Sequence, residues 1–272
     1  MKANSNTRIR AIGFSILFWI VFILSLVGSG FLSSATPPSL ARLFYGIFGT
    51  IGAAVVTWAF VKYEKSTFQQ IGLALEKGTF LRFIKGLAIG FVIIIPVIAA
   101  LIFWGDLHIY KNKSAAISST LLGCLTLLPL ALMEEVGFRG HPFIKLNNAF
   151  GLRATQIIVA LAFGIYHVIN GWSIYVAFTG PFVWAFVFGL SAAWSRGIAM
   201  PTGIHLALNI GQLLSGVNNN PNSIWKLDYN HGATPAAMTH TAHVGLALQM
   251  IVLIVAVIVT EYYIRKKRIL TS

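Results

Sequence analysis

The stretch LPLALMEEVGFRG at residues 128–140 places two adjacent carboxylic acids, Glu134 and Glu135, inside an otherwise apolar segment. The surrounding chain has the composition of a membrane protein, because 57% of its 272 residues are hydrophobic, 10% are charged and the mean hydropathy is +0.78. Soluble domains carry about 25% charged residues. A charged side chain at the centre of a membrane helix costs about 2.5–3.5 kcal/mol, so two neighbouring acids indicate a functional site.

Outward from this stretch, the apolar segments are long enough to cross a bilayer as helices. They predict an all-α fold, a polytopic bundle of about eight transmembrane helices with an intramembrane active-site cavity. Residues 1–272 are expected to form a single integral membrane domain. The first apolar run is longer than the roughly 7–15 residues of a signal-peptide core, so we interpret it as a spanning helix. The predicted spans are residues 11–32, 43–62, 83–104, 116–137, 153–170, 174–196, 198–217 and 243–264.

The basic residues predict the orientation of this bundle. With eight spans and a cytoplasmic N-terminus, all 20 Lys and Arg residues except Arg42, Lys111, Lys113 and Lys226 fall in cytoplasmic segments. This distribution follows the positive-inside rule and places both termini in the cytoplasm, with a bacterial plasma membrane as the expected location. A nucleic-acid partner is excluded despite the formal charge of +13, because the basic residues lie between apolar runs and not on one basic surface.

The two acids are predicted to have different roles. Glu135 and Arg139 are four residues apart, so a helix places them on one face, where they can form an ion pair. Glu134 is rotated by about 100° from Glu135 and points elsewhere. One carboxylate is then held by arginine while the other is free for chemistry. A structural ion-pair cluster at a helix end is the alternative explanation of the same residues.

Two other spans carry polar side chains at helical spacing. His167 follows Phe163 by four residues in the fifth predicted span, and Asn209 follows His205 by four residues in the seventh. A single histidine in a span is often a hydrogen-bonded packing residue. Ionisable groups in a membrane bundle face its interior, however, so we expect these side chains to converge with Glu134.

The converging groups are suited to hydrolysis of an amide bond in or beside the membrane. A carboxylate and a neutral imidazole can take a proton from water, and a second imidazole with an amide can donate hydrogen bonds to an oxyanion. Glu134, His167 and His205 could instead bind a catalytic zinc ion, with water as the fourth ligand. The helical His-Glu-x-x-His signature of many zinc proteases is absent. The residues therefore leave open whether zinc or no cofactor is required.

Taken together, three motifs resemble the CPBP family of intramembrane endopeptidases, which comprises CAAX proteases and bacteriocin-processing enzymes and is also called the Abi family. These motifs are Glu-Glu-x-x-x-Arg at 134–139, Phe-x-x-x-His at 163–167 and His-x-x-x-Asn at 205–209, in this order on separate helices. The resemblance covers residues 116–217, which we take as the catalytic core.

This resemblance implies an endopeptidase that hydrolyses peptide bonds near the membrane surface. Glu134 and His167 would activate the water molecule, and His205 and Asn209 would stabilise the oxyanion. Both a metalloprotease and a metal-free glutamate mechanism have been argued for the family. Eukaryotic members remove the last three residues of prenylated CAAX proteins. The expected partners are therefore the lipid bilayer and a protein or peptide substrate, which could be membrane-associated or lipidated and processed at its C-terminus.

The residues after the first motif carry two further expectations. The resemblance implies that Glu135 and Arg139 support the site structurally. His141 and Pro142 come next, where small or apolar residues are more usual in the family, and they could alter the helix end and the substrate entrance.

The depth of the site in the membrane constrains the fourth helix. If that helix ended near Glu134 while the fifth began at Arg153, His167 would lie about 21 Å above the interface and could not reach Glu134. We therefore expect the fourth helix to continue past Phe138, which places the interface near Lys145. The intervening backbone would be irregular and embedded along a cavity, where such structure is tolerated. We expect this cavity to open to the cytosol.

Two other functions are compatible with the same residues. One is a non-catalytic membrane scaffold or bacteriocin-immunity protein whose site does not cut. The other is a proton-coupled transporter, because intramembrane glutamates and histidines also relay protons. The sequence shows no evident inverted repeat and no pair of broken helices, which are the usual marks of a transporter.

Overall fold

A computed structural model of the protein describes residues 4–269, apart from the side chain of Arg268. Lys2, which the orientation analysis placed in the cytoplasm, lies outside the described residues, as do the two ends of the predicted domain 1–272. The chain forms helices over most of its described length, so the predicted all-α class is confirmed. In order, the helices are α1 Ser5–Ser34, α2 Ala41–Tyr63, α3 Thr79–Trp104, α4 Ile117–Arg139, α5 His141–Phe150, α6 Leu152–Ile169, α7 Ile174–Thr179, α8 Pro181–Ser195, α9 Ala199–Ser215 and α10 Pro235–Ile269.

Within residues 4–269, seven helical segments are long and apolar enough to cross a membrane. Two of them join consecutive helices, α4 with α5 over Ile117–Phe150 and α7 with α8 over Ile174–Ser195. The predicted span that is not among these seven, residues 198–217, corresponds to α9, which has 17 residues and is therefore about 25 Å long. The protein is thus an integral multi-pass membrane protein, and α9 is largely buried among the other helices.

Glycine residues allow α3 and α9 to pack with their backbones in close contact. A Cβ atom on Gly86 would lie 2.2 Å from the carbonyl oxygen of Met200, and one on Gly203 would lie 2.2 Å from that of Phe83. Gly90 completes a Gly-x-x-x-Gly pattern on α3, the small-residue pattern that brings membrane helices together. This contact fixes the position of α9 in the bundle.

On its other side, α4 is held by α1 and α2. The hydroxyl of Thr50 on α2 donates to the carbonyl of Pro129, 2.9 Å away, and the indole of Trp19 on α1 donates to the carbonyl of Gly137 at 3.3 Å. Gly137 also lacks the Cβ atom that would collide with the ring of Phe22 on α1. These contacts place the last two turns of α4 deep in the bundle, where residues 135–143 are all buried.

The fourth span continues past Phe138, as the depth argument required, but its backbone is not irregular. α4 ends at Arg139 and α5 begins at His141, so the break is confined to Gly140. Pro142 lies in the first turn of α5, where its missing N–H leaves no hydrogen bond unmade. The expectation of an extended irregular segment was therefore wrong, because the proline that ends one helix also starts the next.

His141 fastens this junction to the end of α2. Its Nε2 atom lies 2.6 Å from Oε2 of Glu64, whose other oxygen accepts a hydrogen bond from Lys145. Burial raises the pKa of Glu64, but the hydrogen bonds and charges of Lys145 and His141 lower it more, so the net pKa lies below its usual range. The His141 ring stacks on Phe18 of α1, with 5.6 Å between ring centroids. The unusual residue after the first motif therefore ties three helices together.

Two short strands, which the sequence analysis did not predict, close the end of the bundle opposite Arg139. β1 (Leu107–Lys111) follows α3 and β2 (Trp225–Tyr229) follows α9, and they pair antiparallel with Ile109 opposite Leu227. Because α3 and α9 pack side by side, their following segments emerge together and can form this pair.

Replacing Gly203 with alanine should destabilise the bundle. The added Cβ atom would meet backbone atoms of α3, which cannot rotate away, so we expect a loss of about 1–3 kcal/mol and a lower thermal unfolding midpoint in detergent. Gly28→Ala is the matched control, because its Cβ atom would have no atom within 4 Å. Equal midpoints for the two variants would contradict the close packing of α3 and α9.

Candidate active site

The carboxylate of Glu135 lies at the centre of the site. Its Oε1 atom accepts a hydrogen bond from Nη1 of Arg139 at 3.3 Å and another from Nδ1 of His205 at 2.9 Å. The side chains of Glu135 and Arg139 are both fully buried. The ion pair that the four-residue spacing predicted is therefore present, and the same carboxylate also joins α4 to α9.

Aromatic rings surround the guanidinium of Arg139. Its Cζ atom lies 4.4 Å from the ring centroid of Phe163 on α6 and 5.1 Å from that of Phe188 on α8. Cations over aromatic faces at these distances are attracted by the ring quadrupole. Atoms Nε and Nη2 of Arg139 and Oε2 of Glu135 are buried without a hydrogen-bond partner among the described residues. The ion pair is thus enclosed by aromatic rings, with few hydrogen bonds to offset its loss of hydration.

His205 lies between the two glutamates. Its ring stacks on Phe188, with centroids 4.6 Å apart and an interplanar angle of 16°. Because Nδ1 faces the Glu135 carboxylate, this nitrogen is the donor of that hydrogen bond. On the opposite side, Nε2 lies 3.8 Å from Oε2 of Glu134, a separation too long for a direct hydrogen bond. Among residues 4–269 the Glu134 carboxylate makes no side-chain hydrogen bond, so it lies apart from the Glu135–Arg139 pair, as the helical rotation predicted.

His167 is oriented by its own helix. Its Nδ1 atom lies 2.8 Å from the backbone carbonyl oxygen of Phe163, one turn earlier on α6, and a carbonyl can only accept. In the neutral ring Nε2 is then the nitrogen with a free lone pair. Edge contacts with the rings of Phe163 and Trp172 fix the plane of the imidazole.

One cavity brings three of the four predicted catalytic residues together. His167, His205 and Asn209 all line a cavity of about 260 Å³ between α3, α6, α8, α9 and α10. Glu134 is not part of the cavity wall and lies beside His205, and its side chain is 15% exposed. No hydrogen bond or ion pair joins Glu134 to His167 in the described part of the chain. The two histidines and the amide of Asn209 therefore converge on one cavity, as predicted. Glu134 lies outside the cavity wall and approaches this group at His205, 3.8 Å away.

From His205 this cavity follows α9 towards Asn218. The expected opening to the cytosol, with the interface near Lys145, belongs to the opposite, basic end of the bundle. A larger cavity of about 650 Å³ does lie at that basic end, against Leu132 and Val136 of α4, but it contains none of the predicted catalytic residues. The predicted catalytic residues thus lie between two cavities that approach them from opposite ends of the bundle.

The side chains that could bind zinc do not form a metal site in this arrangement. Among residues 4–269, no three His, Cys, Asp or Glu side chains are grouped so that they could hold a metal ion, and this includes Glu134, His167 and His205. Because these three side chains are not grouped to hold an ion, the chemistry proposed below routes no step through a metal.

Three residues near the site were not among the predicted site residues. The hydroxyls of Tyr45 on α2 and Tyr166 on α6 interact with each other, and Glu134 lies close enough to interact electrostatically with both. Gln249 of α10 lines the cavity. Tyr166 directly precedes the motif histidine, and Gln249 is a single amide within an apolar span. The sequence therefore contained features that could have identified both residues. Nothing in the sequence distinguishes Tyr45.

Comparison with known families supports the resemblance noted from the motifs. Residues 116–211 match a family model described as type II CAAX prenyl endopeptidase Rce1-like. The matched segment contains all three motifs and nearly the whole predicted core of 116–217, so the resemblance to the CPBP and CAAX protease family is confirmed. This match implies a peptidase of the CAAX type in general terms. A comparison with curated proteins found no match to the chain.

Substituting Glu135 should damage the fold as well as any activity. Glu135→Ala would leave the guanidinium of Arg139 buried without its counter-ion, which costs about 3–5 kcal/mol. Glu76→Ala is the matched control, because Glu76 also pairs with an arginine, Arg82, but both side chains are partly exposed. An exposed pair contributes about 0–1 kcal/mol. Thermal unfolding of both variants in detergent checks this, and similar midpoints would contradict the structural role of Glu135.

Proposed function

We propose that the protein is an intramembrane endopeptidase in which Glu134 activates a water molecule and His205 and Asn209 stabilise the oxyanion. The observation that supports this most directly is the 3.8 Å separation between Oε2 of Glu134 and Nε2 of His205. A tetrahedral intermediate carries the attacking oxygen and the oxyanion on one carbon atom. The base and the oxyanion donor must therefore lie close together without being bonded to each other, and this pair meets that requirement.

The hydrogen bonds of His205 support its role as a donor. Glu135 accepts from Nδ1 and holds the ring plane, so that Nε2 points towards Glu134 and the cavity. Because Nδ1 already carries the hydrogen that Glu135 accepts, Nε2 carries one only in the protonated ring, and that imidazolium can donate to the oxygen of a peptide carbonyl. Asn209 lies one turn further along α9 on the same cavity wall, and its amide can supply a second donor. Glu135 and Arg139 thus act as positioning residues that set the direction of the imidazole.

The proposed reaction has two steps. Glu134 takes a proton from water while the water oxygen bonds to the peptide carbonyl carbon, and the carbonyl oxygen becomes the oxyanion held by His205 and Asn209. The proton then passes to the amide nitrogen, the C–N bond breaks and a carboxylic acid and an amine leave. His167 faces the same cavity with a lone pair on Nε2 in its neutral form, so it can assist in holding the water and in carrying the proton.

We infer further that the substrate is a protein or peptide that reaches the site from the membrane, and that it could be lipidated and cleaved near its C-terminus. The larger cavity supports this, because its wall is mostly apolar and includes Leu132 and Val136, which lie within one turn of Glu135. Arg82 and Arg196 line the same cavity, and the positive-inside rule assigns this end to the cytoplasm. A hydrocarbon chain in the larger cavity would place its attached peptide beside α4.

Loss of the proposed base should abolish cleavage without unfolding the protein. Glu134→Gln keeps the side-chain shape but removes the proton acceptor, and we expect a fall of about 10²–10⁴-fold in rate. The measurement compares membrane proteomes of cells expressing the wild type or the variant and looks for peptide ends that only the wild type produces. The same peptides, synthesised, then give the rates with purified protein.

The control for this comparison is Asp228→Asn, which changes an exposed carboxylate on β2 far from the site and should cleave normally. Full activity in Glu134→Gln would remove its catalytic assignment. If wild-type and variant membranes show the same peptide ends, the non-catalytic scaffold or immunity role becomes the better explanation. Proton-coupled uptake into sealed vesicles that depends on Glu134 would instead support a transporter.

A metal-free mechanism makes a separate prediction. Protein purified and treated with a strong zinc chelator should retain its peptidase rate, and metal analysis should find well below one zinc ion per chain. Glu134→Gln serves as the inactive reference in the same assay. Loss of activity on chelation that zinc restores would show that Glu134, His167 and His205 rearrange into a metal site during turnover.

A further inference from the structure

Gln249 is a polar side chain with an unexplained position. It is the only polar residue between Val244 and Val259 of α10, a helix that otherwise presents mostly apolar side chains to the lipid. Its Oε1 atom is buried and has no hydrogen-bond partner among the described residues. A buried acceptor without a donor costs free energy that an apolar residue of the same size would avoid. Such an unsatisfied amide, on a residue that lines a cavity, points to a ligand that supplies the donor once the amide turns towards it.

The cavity that Gln249 lines is the one that contains His167 and His205. At the end away from the histidines it is lined by Gln212 and Asn218, and Nδ2 of Asn218 donates to Oε1 of Gln212 at 2.9 Å. This hydrogen bond occupies the oxygen of Gln212 and leaves its amide N–H groups as donors. The wall of this cavity therefore includes an unsatisfied acceptor on Gln249 and free donors on Gln212.

An acceptor beside a donor matches the backbone of a peptide, in which each residue carries one N–H and one C=O. Among the described residues, the wall of this cavity has no Asp, Glu, Lys or Arg side chain. A charged ligand would find no counter-ion at this end, whereas a backbone amide needs none.

The spacing along α9 relates this end of the cavity to the site of cleavage. His205, Asn209 and Gln212 lie at positions i, i+4 and i+7 on one face of α9, and all three line the cavity. They span about 10 Å of helix axis. An extended peptide advances about 3.3 Å per residue, so this distance corresponds to about three residues.

We propose that Gln249 and Gln212 form a subsite that binds a backbone amide of the substrate about three residues from the scissile bond. The amide of Gln249 turns its Oε1 atom to the peptide N–H and accepts a hydrogen bond from it, and the amide of Gln212 donates to a peptide carbonyl. This subsite rests on the proposed function for its reference point, the scissile bond beside His205. It fixes the register of the substrate without reading its side chains.

Binding can be tested separately from cleavage. The protein is reconstituted in nanodiscs as the Glu134→Gln variant, which leaves the cavity wall unchanged, and a library of acetylated, amidated, uncharged decapeptides is screened for binding. The tightest peptide is then remade with a single N-methyl group at each amide in turn. We expect one N-methylated position to bind about tenfold more weakly, because one hydrogen bond is lost.

Adding Gln249→Leu to this protein should weaken the unmodified peptide by about tenfold and abolish the effect of N-methylation at that one position. Ile251→Ala is the matched control, because Ile251 lies on the same helix and is 56% exposed on the outer surface. Gln212→Leu gives a second reading if Gln249→Leu does not fold, as judged by gel filtration and thermal unfolding.

The outcomes separate the two proposals. If no uncharged peptide binds, or if Gln249→Leu and Gln212→Leu bind peptides as tightly as the parent, the subsite is wrong. An N-methyl effect that survives in Gln249→Leu also overturns it. Peptide binding with no cleavage by the wild type would remove the peptidase while keeping the subsite. Cleavage by the wild type with unchanged kcat/KM in Gln249→Leu would keep the peptidase and remove the subsite.

Discussion

The carboxylate of Glu135 is the group on which the rest of the site depends. It accepts hydrogen bonds from Arg139 on its own helix and from His205 on α9, and it is fully buried. A buried ion pair gains little over well-packed apolar residues, because both charges must lose their hydration. The carboxylate instead sets the orientation of the His205 ring. With Nδ1 of His205 held on one side, Nε2 has to face Glu134 and the cavity.

Packing, and not the ion pair, supplies the rigidity that this arrangement needs. Membrane helices gain little from hydrophobic burial against one another, since lipid tails are as apolar as their side chains. Close backbone contact at Gly86 and Gly203 holds α9 against α3. Contacts at Gly137 and Pro129 hold α4 against α1 and α2. Glu134 and His205 therefore approach each other from two helices that are each fixed by a different neighbour.

The sequence predicted those features that depend on helical periodicity. The four-residue spacing was enough to pair Glu135 with Arg139 and to leave Glu134 apart, and hydropathy was enough to locate the helices. The sequence did not predict the features that depend on how distant segments pack against each other. The strand pair needs α3 and α9 to lie side by side, and the direction of the cavity depends on which side chains of α6, α9 and α10 leave space between them. Gln249 is the single amide of its apolar span, but its place in the cavity wall depends on this packing and was not predicted.

The position of the candidate site between two cavities bears on how a protein within the membrane could hydrolyse a peptide bond. Hydrolysis needs water, a carboxylate and a peptide in one place, and the bilayer core supplies none of them. The more polar cavity, beside His205, leads towards Asn218, while the more apolar cavity beside Val136 adjoins the basic end. Separate routes would let a lipid chain and a peptide backbone approach α4 from different sides. Glu134 lies between Leu132 and Val136 in sequence and beside His205 in space. It therefore belongs to the short stretch of α4 that both cavities approach.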